Sequence, residues 1–208
     1  MTDTETCTTN VPLDYAPYKM RIDTITDETS DIKTFRLRFV DEAKGEKFSF
    51  RAGQFGLYSV FGYGEATFCI SSSPTQKDYI ECSVKKAGKV TSELHSLNPG
   101  DMIGFRGPYG NWFPIERMKG KNLIFVGGGI GLAPLRSLIL ECLDRREEFG
   151  DILIVYGART VGDLVFKPEL AEWEEHTDIR TVYTVDPGGE TEDWHGQVGF
   201  VPTVLNEQ

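Results

Sequence analysis

A chain of 208 residues has room for one large domain or two modest ones, since domains usually run to about 100–200 residues. With 39% hydrophobic and 26% charged residues it carries enough apolar material for a core and too little charge for a disordered polymer. Its 22 basic side chains stand against 32 acidic ones, and the formal charge of −10 opposes a phosphate backbone, which argues against a nucleic-acid partner.

No apolar run reaches the roughly 18 residues of a spanning helix. The polar start MTDTETCTTN lacks the basic flank and apolar stretch of a signal peptide, so the expectation is a cytoplasmic protein. Residues 1–16 read as a mobile lead-in that turns extended around Val11 to Tyr18. Cys7, Cys69, Cys82 and Cys142 are scattered without a CxxC or Cys/His cluster. They assemble neither a zinc site nor a complete iron–sulfur site, and reduced thiols are expected.

From residue 17 to about residue 116 the hydrophobic period is two. Phe35, Leu37 and Phe39 alternate with Thr34, Arg36 and Arg38, and Ile80, Cys82 and Val84 alternate with Glu81, Ser83 and Lys85, a pattern that predicts half-buried strands. Turns at Gly45, Gly53, Gly62 to Gly64, Gly88, Gly100 and Gly107 to Gly110 space such strands as a small antiparallel β-barrel or sandwich requires.

Past Lys119-Gly120-Lys121 the pattern changes. The continuous apolar runs Leu123 to Val126 and Ile152 to Tyr156 predict parallel strands buried on both faces. Between them Leu132, Leu135, Leu138, Ile139 and Cys142 recur at helical spacing, and Val182 to Val185 adds a strand. Residues 117–208 therefore read as an α/β domain, and a short one, because after Val185 only about one more element fits.

The sharpest motif is Val126-Gly127-Gly128-Gly129-Ile130-Gly131-Leu132-Ala133-Pro134, directly after a strand and opening a helix. Glycines there let backbone N–H groups approach a pyrophosphate, and a helix N-terminus adds partial positive charge. The dinucleotide fingerprint GxGxxG is not matched in strict form, but strand, loop and helix together indicate nucleotide binding. Tyr156-Gly157-Ala158-Arg159 ends the next strand at the edge where ligands bind. Arg159 there either holds a ribose phosphate or is simply solvated. Asp186-Pro187-Gly188-Gly189 ends a further strand and reads first as a turn. Phe68 and Cys69 suit a core as well as a cofactor site, and Gly88 to Thr91 suits a turn leading into a helix with Thr91 as N-cap. His95, His176 and His195 lack ligand spacing, and Asp14, Glu65 and Asp78 form no acid/base pair.

Three segments in this order, Gly88-Lys89-Val90-Thr91, Arg106-Gly107-Pro108-Tyr109-Gly110 and Gly127 to Pro134, together resemble the ferredoxin–NADP reductase superfamily, from about Pro17 to the C-terminus. Glu65-Ala66-Thr67-Phe68, Gly104 to Asn111 and Gly196-Gln197-Val198-Gly199-Phe200-Val201-Pro202 are most similar to the FAD/NAD(P)-binding gamma subunits of soluble nickel–iron sulfhydrogenases. The likeness extends to the FAD/NAD(P)-binding subunits of anaerobic sulfite reductase and dihydroorotate dehydrogenase, the latter its electron-transfer subunit.

The resemblance implies a flavin β-barrel followed by a nicotinamide-nucleotide α/β domain, with roles position by position. The flavin-wrapping motif Arg-x-Tyr/Phe-Ser/Thr falls on Ala66-Thr67-Phe68-Cys69. Phe68 is then the aromatic beside the isoalloxazine, and Cys69 stands for the hydroxyl that hydrogen-bonds flavin N5, as a weaker donor. Ala66 replaces the arginine of the FAD pyrophosphate, a charge that Lys85 or Lys89 can supply. Ser83-Val84-Lys85 matches the strand along the flavin edge, and Gly88-Lys89-Val90-Thr91 the turn that donates to the pyrophosphate. The nicotinamide nucleotide falls to Gly128, Gly129, Ile130, Gly131, Tyr156, Gly157, Ala158, Arg159 and Asp186.

Similar subunits continue through a strand ending in Cys-Gly-Pro and a cysteine-rich tail that binds a [2Fe–2S] cluster. Neither occurs before Gln208, so the resemblance places the cluster on a partner or on a segment absent from this sequence. The functional expectation is a flavin electron-transfer subunit working between NAD(P)H and an iron–sulfur protein of a hydrogenase- or sulfite-reductase-like hetero-oligomer. Two other readings stand beside it, a nucleotide-binding structural or regulatory subunit, motivated by Ala66, and a free-standing NAD(P)H:flavin reductase.

Overall fold

Alternating apolar residues build the first half of the chain. The computed structural model describes residues 16–208, and the lead-in expected over residues 1–16, with Cys7 and Asp14, lies outside the described residues apart from its last residue. The elements are β1 (Tyr18–Asp27), β2 (Ile32–Phe39), α1 (Glu42–Lys47), β3 (Phe55–Val60), β4 (Gly64–Cys69), β5 (Ile80–Lys85), α2 (Lys89–Ser96) and β6 (Met102–Tyr109). Their six strands form one antiparallel sheet in the order β4-β3-β6-β1-β2-β5. The sheet curls until its ends meet, where Ser71 N–H, just past β4, donates to the Glu81 carbonyl of β5 at 2.8 Å. That bond brings the two end strands together without a ladder between them. Met20, Ile22, Phe35, Leu37, Tyr58, Ile80, Cys82, Val84, Ile103 and Phe105 fill the barrel, and Leu94 of α2 joins them.

The second half is built on continuous apolar runs. It comprises β7 (Leu123–Gly128), α3 (Leu132–Asp144), β8 (Ile152–Ala158), α4 (Lys167–Glu175), β9 (Ile179–Val185), β10 (Gln197–Val198) and α5 (Val201–Asn206). Its sheet is parallel, in the order β10-β9-β8-β7. Strands β7, β8 and β9 are added in one direction, so crossovers of one hand lay α3 and α4 on the same face. The carboxyl ends of β7, β8 and β9 consequently share one rim, where such sheets bind ligands.

Two expectations about burial are corrected. β7 is not buried on both faces: Leu123 and Phe125 point into the core, while Ile124 is 61% and Val126 40% exposed. It is the edge strand, and among the described residues nothing covers that part of its outer face. β5 errs the other way. Glu81 and Ser83, read as the solvent side of a half-buried strand, are buried, because the outer face of β5 is pressed against the second half.

That seam is partly apolar. Ile32 and Ala52 of the barrel belong to the same core as Leu132, Ala133 and Phe166. It is also ionic: Arg136 of α3 donates through Nη1 to Glu81 Oε2 at 2.7 Å and to the Ser71 carbonyl at 3.0 Å, and through Nε to Glu169 Oε2 at 2.7 Å. Its guanidinium lies 4.7 Å from the centre of the Phe166 ring. Phe166 N–H donates to Glu28 Oε2 at 2.7 Å, a further bond between the halves.

Candidate functional site

The rim of the parallel sheet opens into a cavity of about 340 Å³. Gly128, Gly129 and Ile130 form its floor, Gly157, Ala158 and Arg159 follow from the end of β8, and Asp186 stands just past β9. Phe200, Val201 and Pro202 at the start of α5 complete this side, together with Asp163. The opposite wall comes from the barrel, as Asp31 and Ile32 at the start of β2 and Lys85 at the end of β5. Seven of the nine positions expected for the nicotinamide nucleotide therefore meet at one place, Gly131 and Tyr156 being the other two.

Tyr156 lies near the end of β8, and its side chain is fully buried and does not face the cavity. It works from behind. Its hydroxyl donates to the Gly129 carbonyl at 3.2 Å and accepts from Val165 N–H at 3.1 Å, which ties the glycine loop to the segment before α4. Burial pushes the phenol up to about 12, so it stays protonated and able to donate. Gly129 takes the left-handed φ of +51° that turns the chain from strand to helix. Gly131 sits at the start of α3 in helical geometry, and a Cβ built there meets no atom within 4 Å.

The charged residues of the cavity are largely paired. Lys85 Nζ lies 3.2 Å from Asp31 Oδ2. Desolvation opposes it, but hydrogen bonds from Lys85 and Thr29 hold the Asp31 carboxyl below its ordinary value. Arg159 Nη2 lies 3.5 Å from Asp163 Oδ1 with its side chain 73% exposed. Asp186 both closes a turn and faces the cavity. Its carbonyl accepts from Gly189 N–H at 2.8 Å to close a turn, and the residue also lines the cavity.

The residues expected around the flavin divide by face. On β4, Ala66 and Phe68 oppose Tyr58 and Gly56 of β3, whereas Thr67 and Cys69 oppose Leu57 and Phe55. The Phe68 ring is half-buried and rests 5.6 Å from the Tyr58 ring, leaving the rest of its surface free for a flat ligand. Cys69 is half-buried too, and burial pushes its thiol up. Ser83 and Val84 are enclosed. The Ser83 hydroxyl bonds Thr34 Oγ1 at 2.8 Å, and the Val84 carbonyl bonds His95 Nε2 at 2.8 Å. Their side chains brace the strand and are not open to a cofactor.

At the start of α2 the N-cap is Gly88, and the expectation of Thr91 in that place is corrected. The Thr91 hydroxyl accepts from the N–H groups of Ala87 at 2.9 Å and Gly88 at 2.8 Å and donates to the Gly88 carbonyl. It shapes the turn, and the first intrahelical bond runs from Ser92 N–H to the Gly88 carbonyl. The amides of Lys89, Val90 and Thr91 are thereby left for an anion. A Cβ at Gly88 meets no atom within 4 Å, and Val90 approaches Gly64 at the start of β4. Lys89 Nζ lies 5.9 Å from the centre of the Tyr63 ring, so a cation stands at this helix start although position 66 holds none.

The donor set fits FAD along β4 and α2 and a nicotinamide dinucleotide along the sheet rim: an open aromatic, free helix amides with a neighbouring lysine, and glycines that face open space. Sequence reasoning missed Asp31, Asp163 and Tyr63. Asp31 carries no local signal, since only folding brings the start of β2 to the glycine loop. Phe200-Val201-Pro202 entered only through a resemblance, although proline in a first helical turn marks a helix start beside the sheet rim.

Residues 19–113 match the oxidoreductase FAD-binding domain family and residues 125–208 the oxidoreductase NAD-binding domain family. The sequence is 36% identical over 185 residues to sulfhydrogenase 1 subunit gamma of Pyrococcus furiosus, covering 89% of this chain and 63% of that protein. It is 37% identical over 151 residues to the probable dihydroorotate dehydrogenase B (NAD(+)) electron transfer subunit of Methanocaldococcus jannaschii, covering 72% of this chain and 51% of that protein. The chain thus spans less than two thirds of the length of these curated relatives. The fold matches a ferredoxin NADP+ reductase from Neisseria gonorrhoeae, solved with bound FAD and NADP, at a TM-score of 0.74 and 22% identity, over 91% of this chain and 75% of that one.

Proposed function

The chain belongs to the oxidoreductases that join an FAD-binding to an NAD-binding domain, within the ferredoxin–NADP reductase superfamily, and on that premise we propose that it is an NAD(P)H-linked flavin electron-transfer subunit of a multi-subunit redox enzyme. The observation that carries the proposal is the shared cavity, in which Asp31, Ile32 and Lys85 of the barrel face the glycine loop Gly128 to Ile130. A nucleotide held by that loop lies against the flavin-binding domain.

FAD, when bound, supplies the exchange between a two-electron hydride and single electrons. The protein's part is placement and exclusion of water. Gly128 to Gly131 and the start of α3 take the dinucleotide pyrophosphate on backbone amides, with Tyr156 fixing the loop from behind. Lys85 adds a positive charge from the barrel side. Phe68 would offer its open ring surface to the isoalloxazine with Cys69 beside it on β4, and the amides of Lys89, Val90 and Thr91 would take the FAD pyrophosphate. The arginine missing at Ala66 is offset by Lys89 and the helix start. No general acid is needed, since the transferred hydrogen leaves with its electrons. An iron–sulfur partner subunit would be the acceptor of the single electrons.

Two substitutions that the fold tolerates separate the parts of this reading. Gly88 has extended φ and Gly131 helical φ, and neither Cβ meets a neighbour, so leucine at either place should leave the fold intact. Gly88→Leu should lose FAD while still binding a nicotinamide dinucleotide. Gly131→Leu should keep FAD, yet its flavin absorbance should no longer bleach with NADH or NADPH. Wild type that retains flavin without bleaching would turn the assignment to a structural or regulatory subunit, and full activity of the isolated chain toward a soluble acceptor would turn it to a free-standing reductase.

A further inference from the structure

We propose that Glu28, in the turn between β1 and β2, is a positioning residue for the dinucleotide: without touching it, this barrel carboxylate sets the shape of the glycine loop in the other half through Phe166, Val165 and Tyr156. The proposal rests on the nucleotide-binding reading above. Glu28 is half-buried and stands outside the lining of the cavity, so its effect on a nucleotide must pass through other residues.

Hydrogen bonds mark the route. Phe166 N–H donates to Glu28 Oε2 at 2.7 Å. The preceding amide, Val165 N–H, donates to the Tyr156 hydroxyl at 3.1 Å, and that hydroxyl donates to the Gly129 carbonyl at 3.2 Å. Glu28 is also tied to the opposite wall of the cavity, since its own N–H donates to the Ile32 carbonyl at 2.9 Å and Ile32 lines that wall. Lys167 closes the arrangement: its Nζ donates to the Leu164 carbonyl at 2.6 Å and reaches the Glu28 carbonyl at 3.4 Å. One residue therefore holds both sides of the cleft.

Phe166 is the reason such a hold is needed. Its φ is +57°, and among the described residues it is the one non-glycine with a positive φ, a region that side chains with a Cβ rarely enter. A residue in that state persists only where its neighbours impose it. Here the ring is buried against the Arg136 guanidinium, and the amide is held by a charged acceptor, which makes the stronger kind of hydrogen bond. Without Glu28 that amide is unpaired and φ is free to relax. Relaxation there displaces the adjoining Val165 amide from the Tyr156 hydroxyl, and the glycine loop loses the brace behind it. The backbone amides that take a pyrophosphate then lose their common aim. Burial is the largest cause of the raised Tyr156 phenol, and the charge of Glu28 adds to it, as expected of two groups this close.

Calorimetric titration of the full chain tests this without turnover, with whichever of NAD+ and NADP+ wild type binds more tightly. Glu28→Ala should weaken binding by about tenfold and leave FAD retention unchanged, whereas Glu28→Gln, which keeps an oxygen within reach of Phe166 N–H, should stay within about threefold of wild type. A carboxylate that merely repelled the nucleotide phosphates would give tighter binding in both variants, and that result overturns the inference. Tyr156→Phe completes a cycle: because Glu28 acts through Tyr156, the Glu28→Ala/Tyr156→Phe double variant should bind no more weakly than the weaker single variant, and additive losses overturn the route. Should Glu28→Ala fail to fold, Glu28→Asp takes its place, since it keeps the charge but falls short of the amide by one methylene. Unchanged affinity in Glu28→Ala overturns the inference and leaves the nucleotide-binding reading standing, while binding of neither dinucleotide by wild type overturns both.

Discussion

Arg136 and Glu81 meet across the seam between the barrel and the α/β half at 2.7 Å, with side chains only 8% and 6% exposed. Glu81 also accepts from Arg36 Nε at 2.9 Å, and Arg136 reaches Glu169 as well, so four charges of alternating sign run through the junction. Such a pair is costly to desolvate, and its geometry matters more than its charge.

Removing one member should therefore be worse than removing both. Arg136→Met leaves Glu81 without the partner that faces it and should lower stability by about 3–5 kcal/mol. The Arg136→Met/Glu81→Leu double variant should lose less than the sum of the single changes. Urea melts of the four proteins in the cycle measure this, and additive losses would show that the pair is not coupled.

Tyr156→Phe separates support from contact. It leaves the buried Val165 amide without its acceptor and frees the Gly129 carbonyl, at a cost of about 1–3 kcal/mol. Dinucleotide affinity should fall although no ligand contact is removed, and FAD retention should not change. An unaltered dinucleotide affinity would mean that the glycine loop holds its shape unaided.

The far end of α3 carries a solvent-exposed network in which Glu148 meets Arg145 at 2.8 Å and Lys119 at 2.9 Å. Hydrogen bonds from Arg145 and then Lys119 bring the Glu148 carboxyl from 4.5 down to about 2. A lowered folded value stabilises above the unfolded one, so the contribution is complete above pH 4.5 and disappears as pH falls through about 2. The gap in urea midpoint between wild type and Glu148→Gln should shrink between about pH 5 and pH 3, and shrink also with added salt. A gap independent of both would assign the effect to packing.

Among the described cysteines, Cys82 and Cys142 are fully buried and Cys69 is half-buried. Burial raises all three thiols, Cys142 to about 12, so each is protonated and slow to react at neutral pH. Of these three, Cys69 alone should be alkylated by iodoacetamide in the folded protein, and bound FAD should slow it further. Mass spectrometry of the labelled peptides reads both effects, and labelling of Cys69 indifferent to FAD would move the flavin away from β4.

The parts of this molecule that were legible in sequence are those written in local period. Phe35, Leu37 and Phe39 announce β2 by alternation, and Leu132 to Cys142 announce α3 by helical spacing, because side-chain direction follows the backbone repeat. What escaped depends on distant pairing. Glu81 occupies a polar slot in an alternating strand and reads as solvent-facing, yet its partner Arg136 lies 55 residues further on. Tyr156 lies near the end of β8 at the sheet rim, and no local pattern tells whether an aromatic there points into the cavity or, as here, behind the glycine loop. The glycine loop could be found because its chemistry resides in consecutive residues, whereas Asp31 and Lys85 come from separate strands of the barrel.

The buried carboxylate on β5 also bears on how such proteins can be recombined. A barrel that keeps Glu81 on its outer face cannot be handed to an arbitrary nucleotide domain as an interchangeable block, because the new neighbour must present a guanidinium where Arg136 now stands. A chimera joined in the linker near Gly120 would need that arginine, and with it an aromatic in the place of Phe166, carried across on the recipient side. The two halves therefore form a matched pair, and compatibility at their seam limits which exchanges can yield a folded protein.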